Sequence, residues 1–376
     1  MECVEKILKF KHIKKTTYKA EHPYNDLPLL PPKLNLTAKV YKKTIAANKA
    51  LAELKGLAGL IPNQAILLNS LTLKEAKDSS AIENIVTTQD ELYKAFSVDN
   101  PKIDPAIKEV LNYREALWNG YQLVKKKQLI TSREIIKIQE LLVGNNAGLR
   151  KQPGTALRNA QTGEVIYTPP FGKDIIEDLL RNLEKYINGE EAEIDPLIKM
   201  AIIHYQFESI HPFYDGNGRT GRILNVLYLI IEDLLELPIL YLSSYIIRHK
   251  KKYYEGLQEV RLKNNWEDWI VYMLDSVELT SKDTIRLIKS IKISIDEAID
   301  LMKKNNPKIY SKELVETLFN QPYCRISILE EQLSITRFTA SKYLKELEKI
   351  GILKGEKVGR DMLYINLSLF AILKEK

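Results

Sequence analysis

The sequence predicts a mainly α-helical protein that ends in a small α+β module. Apolar residues recur at three- and four-residue spacing along much of the 376-residue chain, a pattern typical of amphipathic helices. The pattern stops between residues 144 and 172, where glycine, asparagine and proline are frequent and a β-hairpin is expected. After Asn305-Asn306-Pro307 it changes to short helices and a strand–turn–strand, which indicates a separate module.

Composition and charge narrow the class of protein. Apolar residues make up 45% of the chain, as in soluble globular proteins, and the formal net charge of +7 does not by itself indicate a nucleic-acid partner. Cys3 and Cys324 lie too far apart in sequence to suggest a disulfide framework or a metal cluster. Acids and a proline interrupt the most apolar stretch, 223–247, so we expect no membrane span and a cytoplasmic protein.

The elements of the first part of the chain are predicted from periodicity and caps. A polar, proline-rich segment at 1–35 is expected to be extended. Thr87 or Thr88, followed by Glu91, indicates a helix N-cap, and Thr131 or Ser132 indicates another. The first predicted helix begins at residue 36. Five more helices are predicted over 63–71, 73–82, 88–96, 104–127 and 131–142.

The later elements follow in the same way. Strands over 155–159 and 164–167 are predicted to form the hairpin around Gln161-Thr162-Gly163. Helices resume at residue 173 and continue to about residue 303, and the C-terminal module begins with a capping-box pattern at Ser327-Ile328-Leu329-Glu330. Its predicted helices are 311–319, 327–333 and 336–350, and its predicted strands are 352–354 and 362–365.

One stretch between two predicted helices, His211 to Arg222, concentrates polar chemistry. A glycine-rich turn before a helix presents free backbone N–H groups and a positive dipole end, which together form an anion site. Gly216 and Gly218 let the backbone approach a ligand closely. Asn217 could donate its amide to a phosphate oxygen.

The charged side chains of this stretch suit a polyphosphate. Arg219 and Arg222 lie three positions apart at a helix start, so they share a face and could clamp phosphates. Asp215 is a hard oxygen ligand of the kind that binds Mg²⁺ together with phosphates. A neutral His211, titrating near pH 6.5, could take a proton from a hydroxyl.

The stretch resembles a known signature. His211-Pro212-Phe213-Tyr214-Asp215-Gly216-Asn217-Gly218-Arg219 is similar to the Fic-domain motif HPFx(D/E)GNGR, with Arg222 as the following arginine, and a looser resemblance covers about residues 70–290. The resemblance implies an all-helical Fic fold with a β-hairpin flap. It also implies a protein adenylyltransferase that moves AMP from ATP, with Mg²⁺, to a Tyr, Thr or Ser hydroxyl of a target protein or of itself.

The resemblance assigns roles to single residues. His211 is expected to be the general base, Asp215 the Mg²⁺ ligand, and Arg219 and Arg222 the phosphate contacts. Fic-like kinases have a lysine at the position of Gly218. The glycine in this chain favours nucleotidyl transfer over phosphate transfer. The residues expected to bind the nucleotide are Gly216, Asn217, Gly218, Arg219, Thr220, Gly221, Arg222 and, on the adenine side, Tyr253 and Tyr254.

Two further segments resemble parts of that family. Ser79-Ser80-Ala81-Ile82-Glu83-Asn84 is similar to the inhibitory motif (S/T)xxxE(G/N), in which Glu83 would pair with Arg222 and force ATP into an unproductive pose. In some relatives the same glutamate assists removal of AMP, so the reverse reaction stays open. Residues 156–170 resemble the flap, whose edge strand would align a target segment, although an ordinary surface hairpin is the alternative.

The C-terminal module resembles a winged helix-turn-helix. Residues 333–336 would form its turn and the helix after them its recognition helix. The module has only about three more basic than acidic residues, so DNA binding and protein binding both remain open, and a DNA-binding regulator that senses nucleotide is the alternative function. The candidate contacts are Arg337, Lys342, Lys345, Lys357 and Arg360.

We therefore predict three domains: an N-terminal helical region at 1–110 with the inhibitory motif, a Fic catalytic core at 111–304 and a winged helix-turn-helix at 305–376. A homodimer follows from the resemblance alone. Nothing in the sequence selects ATP over UTP or GTP, because base selection depends on the shape of a pocket.

Overall fold

The computed structural model describes residues 18–61, 63–97, 104–159, 162–189, 194–358 and 361–374. The helices are α1 (Ala38–Ala58), α2 (Gln64–Ile82), α3 (Gln89–Ser97), α4 (Pro105–Lys127), α5 (Ser132–Val143), α6 (Lys173–Asn188), α7 (Pro196–Ile210), α8 (Asn217–Ile231), α9 (Ser243–Arg248), α10 (Lys250–Lys263), α11 (Trp266–Asn305), α12 (Lys312–Asn320), α13 (Ile326–Leu333), α14 (Arg337–Lys349) and α15 (Leu367–Lys374). The strands are β1 (Leu157–Arg158), β2 (Val165–Tyr167), β3 (Tyr323–Cys324), β4 (Leu353–Val358) and β5 (Asp361–Asn366).

The fold is built around the helix pair α7 and α8. Every residue of α7 from Leu197 to Ile210 is buried, as is most of α8, which explains why neither sequence shows a polar face. α4, α5 and α6 pack around this pair, and α1 lies along α11 on the other side. The turn that joins α7 to α8 is thereby held at the edge of the core.

The predicted fold class is confirmed, and most helix starts agree with their caps. Thr88 accepts a hydrogen bond from the Glu91 backbone N–H while the Glu91 carboxylate accepts one from Thr88, which is a capping box. Thr131, rather than Ser132, caps α5 by accepting from the Glu134 N–H. The two strands of the hairpin pair antiparallel, although they are shorter than predicted.

Three local predictions were wrong. The helices expected over 63–71 and 73–82 are the single helix α2, in which Thr72 is tolerated because its hydroxyl donates to the Leu68 carbonyl (2.5 Å) within the same helix. The capping box at Ser327 is absent, since α13 already begins at Ile326 with Arg325 in the N-cap position. The helix expected after the central motif starts earlier, at Asn217, and ends earlier, at Ile231.

The C-terminal module has the predicted winged-helix order of helices and strands. β5 pairs antiparallel with both β3 and β4, and α12, α13 and α14 precede the hairpin. The sequence missed β3 and α15, because a two-residue strand and an eight-residue helix carry little periodicity. The predicted wing tip, Gly359-Arg360, the turn residue Gln161 and Cys3 lie outside the described residues.

No helix in the described ranges is long enough and apolar enough to cross a membrane.

Candidate active site

The turn between α7 and α8 has a backbone that only a few residue types allow. His211 ends α7 in the left-handed conformation (φ 47°), and its N–H donates to the Phe207 carbonyl (2.9 Å). Gly216 begins α8 at φ 79°, and a Cβ there would lie 2.9 Å from Val143 Cγ1. A glycine is therefore required at position 216 for conformation and for space.

Asn217 closes the turn instead of reaching into it. Its Oδ1 accepts from the Phe213 N–H (2.9 Å) and its Nδ2 donates to the Phe213 carbonyl (2.8 Å). The side chain is buried, so the amide that we expected to donate to a phosphate is committed to the backbone. The structure thus gives Asn217 the role of fixing the loop.

Arg150 is a second brace, and the sequence reading missed it. Its Nε donates to the His211 carbonyl (2.6 Å), and its Nη2 donates to the carbonyls of Pro170 (2.8 Å) and Ile210 (3.2 Å). A single arginine in a glycine-rich loop carries no pattern by which sequence alone could have found it. The buried guanidinium ties the turn to the segment that follows the hairpin.

The predicted residues surround one cleft of about 380 Å³. It lies over the start of α8, where backbone N–H groups point outward. Glu83 forms one wall, although it is far from the turn in sequence. The lining residues are Glu83, Ile85, Glu109, Leu157, His211, Tyr214, Asp215, Gly216, Asn217, Gly218 and Arg219.

His211 is kept neutral by its surroundings. Burial lowers its pKa to about 3, and the nearby charges of Arg150 and Arg261 act in the same direction. The pKa near 6.5 expected from the sequence is therefore too high. Its Nδ1 is buried, so Nε2 is the ring nitrogen through which His211 can accept a proton from a group in the cleft.

Arg219 and Asp215 belong to one charged group with Glu109. Arg219 Nη1 lies 2.6 Å from Glu109 Oε2, and Nη2 lies 3.3 Å from Asp215 Oδ2. Arg219 is buried, whereas the Asp215 side chain is 72% exposed and faces the cleft. Glu109 could not be selected from the sequence, because it lies 110 positions before Arg219 within an amphipathic helix.

A Mg²⁺ ion fits this arrangement with Asp215 as its protein ligand. Among the described residues, no three His, Cys, Asp or Glu side chains are grouped to hold a metal ion by themselves. Mg²⁺, however, commonly takes one or two carboxylates and completes its shell with phosphate oxygens and water. The open carboxylate of Asp215 beside the phosphate-binding turn meets that requirement.

Arg222 is held by α2. Its Nη2 lies 2.9 Å from Glu83 Oε1 and 3.0 Å from the Ser79 carbonyl, and its Nε donates to Ser79 Oγ at 2.8 Å. Arg222 is 1% exposed and Glu83 is 37% exposed. The contact predicted between positions 139 residues apart is present, and Ser79, the first residue of the motif, shares it.

The chain geometry explains the last position of the inhibitory motif. Asn84 has φ 66°, a conformation that glycine and asparagine adopt more easily than other residues. The Ile85 N–H returns to the Ser80 carbonyl (3.0 Å), and Lys250 Nζ donates to the Ile82 carbonyl (2.5 Å). These bonds end α2 so that the Glu83 side chain points to Arg222.

Two more buried carboxylates surround Arg222. Burial raises the pKa of Glu208 to about 7, and the Arg222 charge opposes that rise. Burial also raises the pKa of Glu75 to about 7, against the hydrogen bonds that it accepts from Ser243. Because burial favours the neutral form of both acids, Glu83 is the carboxylate that pairs with Arg222 at short distance.

Four residues predicted to bind the nucleotide do not line the cleft. Thr220 and Gly221 are buried in α8, where a Cβ on Gly221 would meet Glu208 Oε1 at 2.6 Å, so both support packing. Tyr253 is also in the core and its hydroxyl bonds to His204 Nε2 (2.8 Å). Tyr254 is 44% exposed, so its ring remains accessible to a ligand.

The hairpin is anchored close to the turn. The Tyr167 hydroxyl donates to the Ser209 carbonyl (2.6 Å), and the Arg261 guanidinium lies 3.9 Å from the centre of the Tyr167 ring. Leu157 of β1 lines the cleft. The predicted flap thus borders the site, which fits a segment that aligns a target chain.

Comparison with protein families gives three consecutive matches. Residues 41–122 match the Fic/DOC family N-terminal model, 129–229 match the Fic/DOC family model and 295–369 match the C-terminal domain of SoFic-like protein adenylyltransferases. The chain therefore belongs to the Fic/DOC family, and the family predicted from the central motif is confirmed.

Curated relatives and solved structures are similar to the chain. It is 25% identical to a probable protein adenylyltransferase of Aquifex aeolicus over 77% of this chain and 83% of that protein. It is 28% identical to the protein adenylyltransferase Fic of Aedes aegypti over 52% of this chain, and spans only 38% of that protein's length. A Fic family protein from Desulfovibrio desulfuricans shares the fold, with a TM-score of 0.54 and 19% identity over 89% of this chain and 98% of that one.

The shift of the His211 pKa is open to direct measurement. We expect the ring signals of His211 and His204 to stay constant from pH 8 to pH 5, because burial lowers the pKa of both to about 3. NMR of protein with labelled histidine, assigned with His211→Gln and His204→Gln, measures this. A His211 titration midpoint near pH 6.5 would contradict the neutral, buried ring.

Gly218 should be coupled to Glu83. A Cβ on Gly218 would overlap Glu83 Oε1, so Gly218→Ala should lower stability when Glu83 is present. In a Glu83→Gly background the same change should be neutral or stabilising by up to about 1 kcal/mol, because alanine is the better helix former. Urea unfolding of the four proteins measures this coupling, and equal effects in both backgrounds would disprove it.

Proposed function

We propose that this Fic/DOC family protein is a protein adenylyltransferase that moves AMP from ATP to a Tyr, Thr or Ser hydroxyl and is held inactive by Glu83. The observation that carries the proposal is the cleft in which His211, Asp215 and Arg219 meet over the start of α8, with Glu83 as one wall. A base, a metal ligand and an anion site around one space are what nucleotidyl transfer to a hydroxyl requires.

The comparisons support the enzyme class. The curated relatives are named protein adenylyltransferases, and the matched C-terminal family model carries the same description. The chain is accordingly a nucleotidyltransferase with ATP as its substrate and proteins as its targets. The Glu83 inhibition is supported by the geometry of the site, and a Tyr, Thr or Ser target follows from the resemblance of the central motif.

The proposed reaction is an in-line displacement at the α-phosphorus of ATP. The target hydroxyl oxygen forms a bond to that phosphorus while the bond to the bridging oxygen breaks, and pyrophosphate leaves. His211 is neutral at pH 7 and lines the cleft, so it is placed to take the hydroxyl proton, and its lowered pKa makes it a weaker base than a free imidazole. General-base catalysis of this kind contributes about 10²- to 10⁴-fold to the rate.

The turn supplies positive potential for the phosphates. The backbone N–H groups of Asn217 and Gly218 at the start of α8 and the Arg219 guanidinium border the same cleft, whereas the Gly216 N–H donates to Asp215 Oδ1 (2.6 Å). When bound between Asp215 and the phosphates, Mg²⁺ would neutralise charge on the transferring group. Arg219 shares its own charge with Glu109 and Asp215, so part of its positive potential is already offset before the nucleotide binds.

Glu83 competes with the nucleotide for Arg222. Its carboxylate lies against Gly218 and takes Arg222 Nη2, while Nη1 faces Gly218. A γ-phosphate would need the same guanidinium and much the same space. With Glu83 in place, ATP could enter only with its terminal phosphates displaced from Arg222, which is the unproductive pose expected from the inhibitory motif.

The catalytic and inhibitory assignments give opposite mutational effects. We expect Glu83→Gly to raise protein labelling above wild type, and His211→Ala in that background to reduce it by about 10²- to 10⁴-fold. ATP labelled at the α-phosphate measures AMP transfer. ATP labelled at the γ-phosphate is the control, since only a kinase would transfer that label.

Equal labelling by Glu83→Gly and by Glu83→Gly/His211→Ala would disprove the catalytic assignment. Label from the γ-phosphate would show phosphate transfer instead of AMP transfer. Removal of AMP from a modified protein by wild type, but not by Glu83→Gly, would support the reverse reaction at the same site.

We further propose that the chain divides into domains at residues 110 and 304, that the hairpin aligns the target segment, and that the protein modifies itself, forms a homodimer and is cytoplasmic. The contact of Leu157 with the cleft supports the role of the hairpin.

DNA binding by the C-terminal module is a second candidate function. On α14 the side chains of Arg337, Lys342 and Lys345 are exposed, and Phe338 is 81% exposed. Basic side chains contact phosphates, and an exposed Phe can contact a thymine methyl group, so this face suits duplex DNA better than the net charge of the module suggested.

Charge reversal on α14 tests this candidate. Lys342→Glu/Lys345→Glu should weaken binding to a random-sequence DNA duplex by about tenfold or more at low salt, because phosphate contacts are lost. The loss of these contacts should also make binding less dependent on salt. Fluorescence anisotropy at two salt concentrations measures the effect. Lys289→Glu/Lys292→Glu on α11 is the control with the same net charge, and equal weakening by both variants would exclude a specific DNA face.

A further inference from the structure

The C-terminal module contacts both helices that flank Glu83. α2 ends immediately before Glu83, and α3 begins shortly after it. Asn69 of α2 donates from Nδ2 to Asn320 Oδ1 at 2.6 Å. In α3, Asp90 accepts a hydrogen bond from the Tyr323 hydroxyl.

One short turn of the module makes both of these contacts. Asn320 is the last residue of α12, and Tyr323 is the first residue of β3. Between them, the Pro322 carbonyl accepts from the Asn366 N–H of β5 (2.8 Å), and the Asn366 side chain bonds to the Leu318 carbonyl (3.1 Å). The turn is therefore fixed to the sheet and moves with it.

Two further polar contacts extend the interface. Lys94 of α3 lies 2.8 Å from Glu356 of β4, and Asn63 at the start of α2 donates to Glu316 of α12 (3.3 Å). Water can replace each of these polar contacts, but the interface is also packed, because Tyr323 is 1% exposed and apolar residues of α12 and β3 belong to the same hydrophobic core as α2. Loss of the polar contacts therefore weakens this interface without removing its apolar packing.

Helix α2 links this interface to the active site. Asn69 lies within α2 and Glu83 is the residue that caps its C-terminal end, about 21 Å away at 1.5 Å per residue. At the far end, Lys250 binds the Ile82 carbonyl and Arg222 binds Ser79 and Glu83. A helix held at both ends keeps the Glu83 carboxylate over Gly218, and release of one end gives the other more freedom.

We propose that the contact of the C-terminal module with α2 and α3 is an autoinhibitory clamp that keeps Glu83 on Arg222. This inference rests on the proposed function, because Glu83 must inhibit for the clamp to matter. A partner that binds the module and loosens the contact then raises adenylyl transfer. The module thereby acts on the reaction without contributing a residue to the cleft.

The clamp is tested by Asn320→Ala/Tyr323→Phe in the full chain. AMP transfer from α-labelled ATP should rise by about tenfold over wild type, because the loss of two side-chain hydrogen bonds shifts a two-state equilibrium by roughly that factor. In the Glu83→Gly background the same double change should have no effect. The matched control, Asn306→Ala/Tyr310→Phe, alters the same residue types in the module away from α2 and α3 and should equal wild type.

The outcomes separate the clamp from the proposed function. If Glu83→Gly is active but Asn320→Ala/Tyr323→Phe equals wild type, the clamp is disproved and the proposed function stands. If Glu83→Gly is itself inactive, both fail. An equal rise in the matched control would also overturn the clamp, since the effect would then come from general loosening of the module.

A milder variant distinguishes loss of the clamp from loss of folding. Lys94→Gln removes a half-exposed ion pair and should leave the unfolding temperature unchanged, yet raise AMP transfer and speed hydrogen exchange of the Glu83 and Asn84 amides. Unchanged exchange at these amides in both Lys94→Gln and Asn320→Ala/Tyr323→Phe would overturn the clamp.

Discussion

The ion pair between Arg222 and Glu83 is the interaction on which the arrangement of the site depends. A guanidinium that is 1% exposed needs a negative partner, since an uncompensated buried charge costs about 3–5 kcal/mol. Glu75 and Glu208 are also near, but burial favours their neutral forms. Glu83 is therefore the partner in this structure, and the position of α2 is tied to the charge that Arg222 requires.

The side of the cleft that is formed by α7, α8 and the turn between them is held by buried contacts. α7 and α8 are buried along their length, and the turn between them is closed by Asn217 and braced by Arg150. A turn built this way is organised before a ligand arrives, which limits the cost of reorganisation on binding. Under the proposed function, control of the site falls to Glu83, which lines the cleft from the end of α2.

The chemistry of the turn is set by residues distant in sequence. Arg150 and Arg261 act with burial to keep His211 neutral, so its capacity to accept a proton does not depend on small changes of pH around 7. Glu109 partly offsets the charge of Arg219. Asn320 and Tyr323 reach the helices on either side of Glu83. The residues that line the cleft come from the first two regions of the chain, and the C-terminal module contacts the helices beside Glu83.

The helical fold, the hairpin and the order of helices and strands in the C-terminal module could be predicted from the sequence, because periodicity and caps are local signals. The pairing of Glu83 with Arg222 could be predicted from the resemblance of two motifs. Which polar groups are already used by other contacts depends on how the helices pack.

Asn217 is of a residue type that can bind phosphate, but its amide is hydrogen-bonded to the Phe213 backbone. Tyr253 could stack on a base, but it lies in the core beside His204. Arg150 and Glu109 carry no sequence signal because their partners lie 61 and 110 positions away. Burial and long-range partners arise only when the helices pack, and they set both the protonation of His211 and the hold on Glu83.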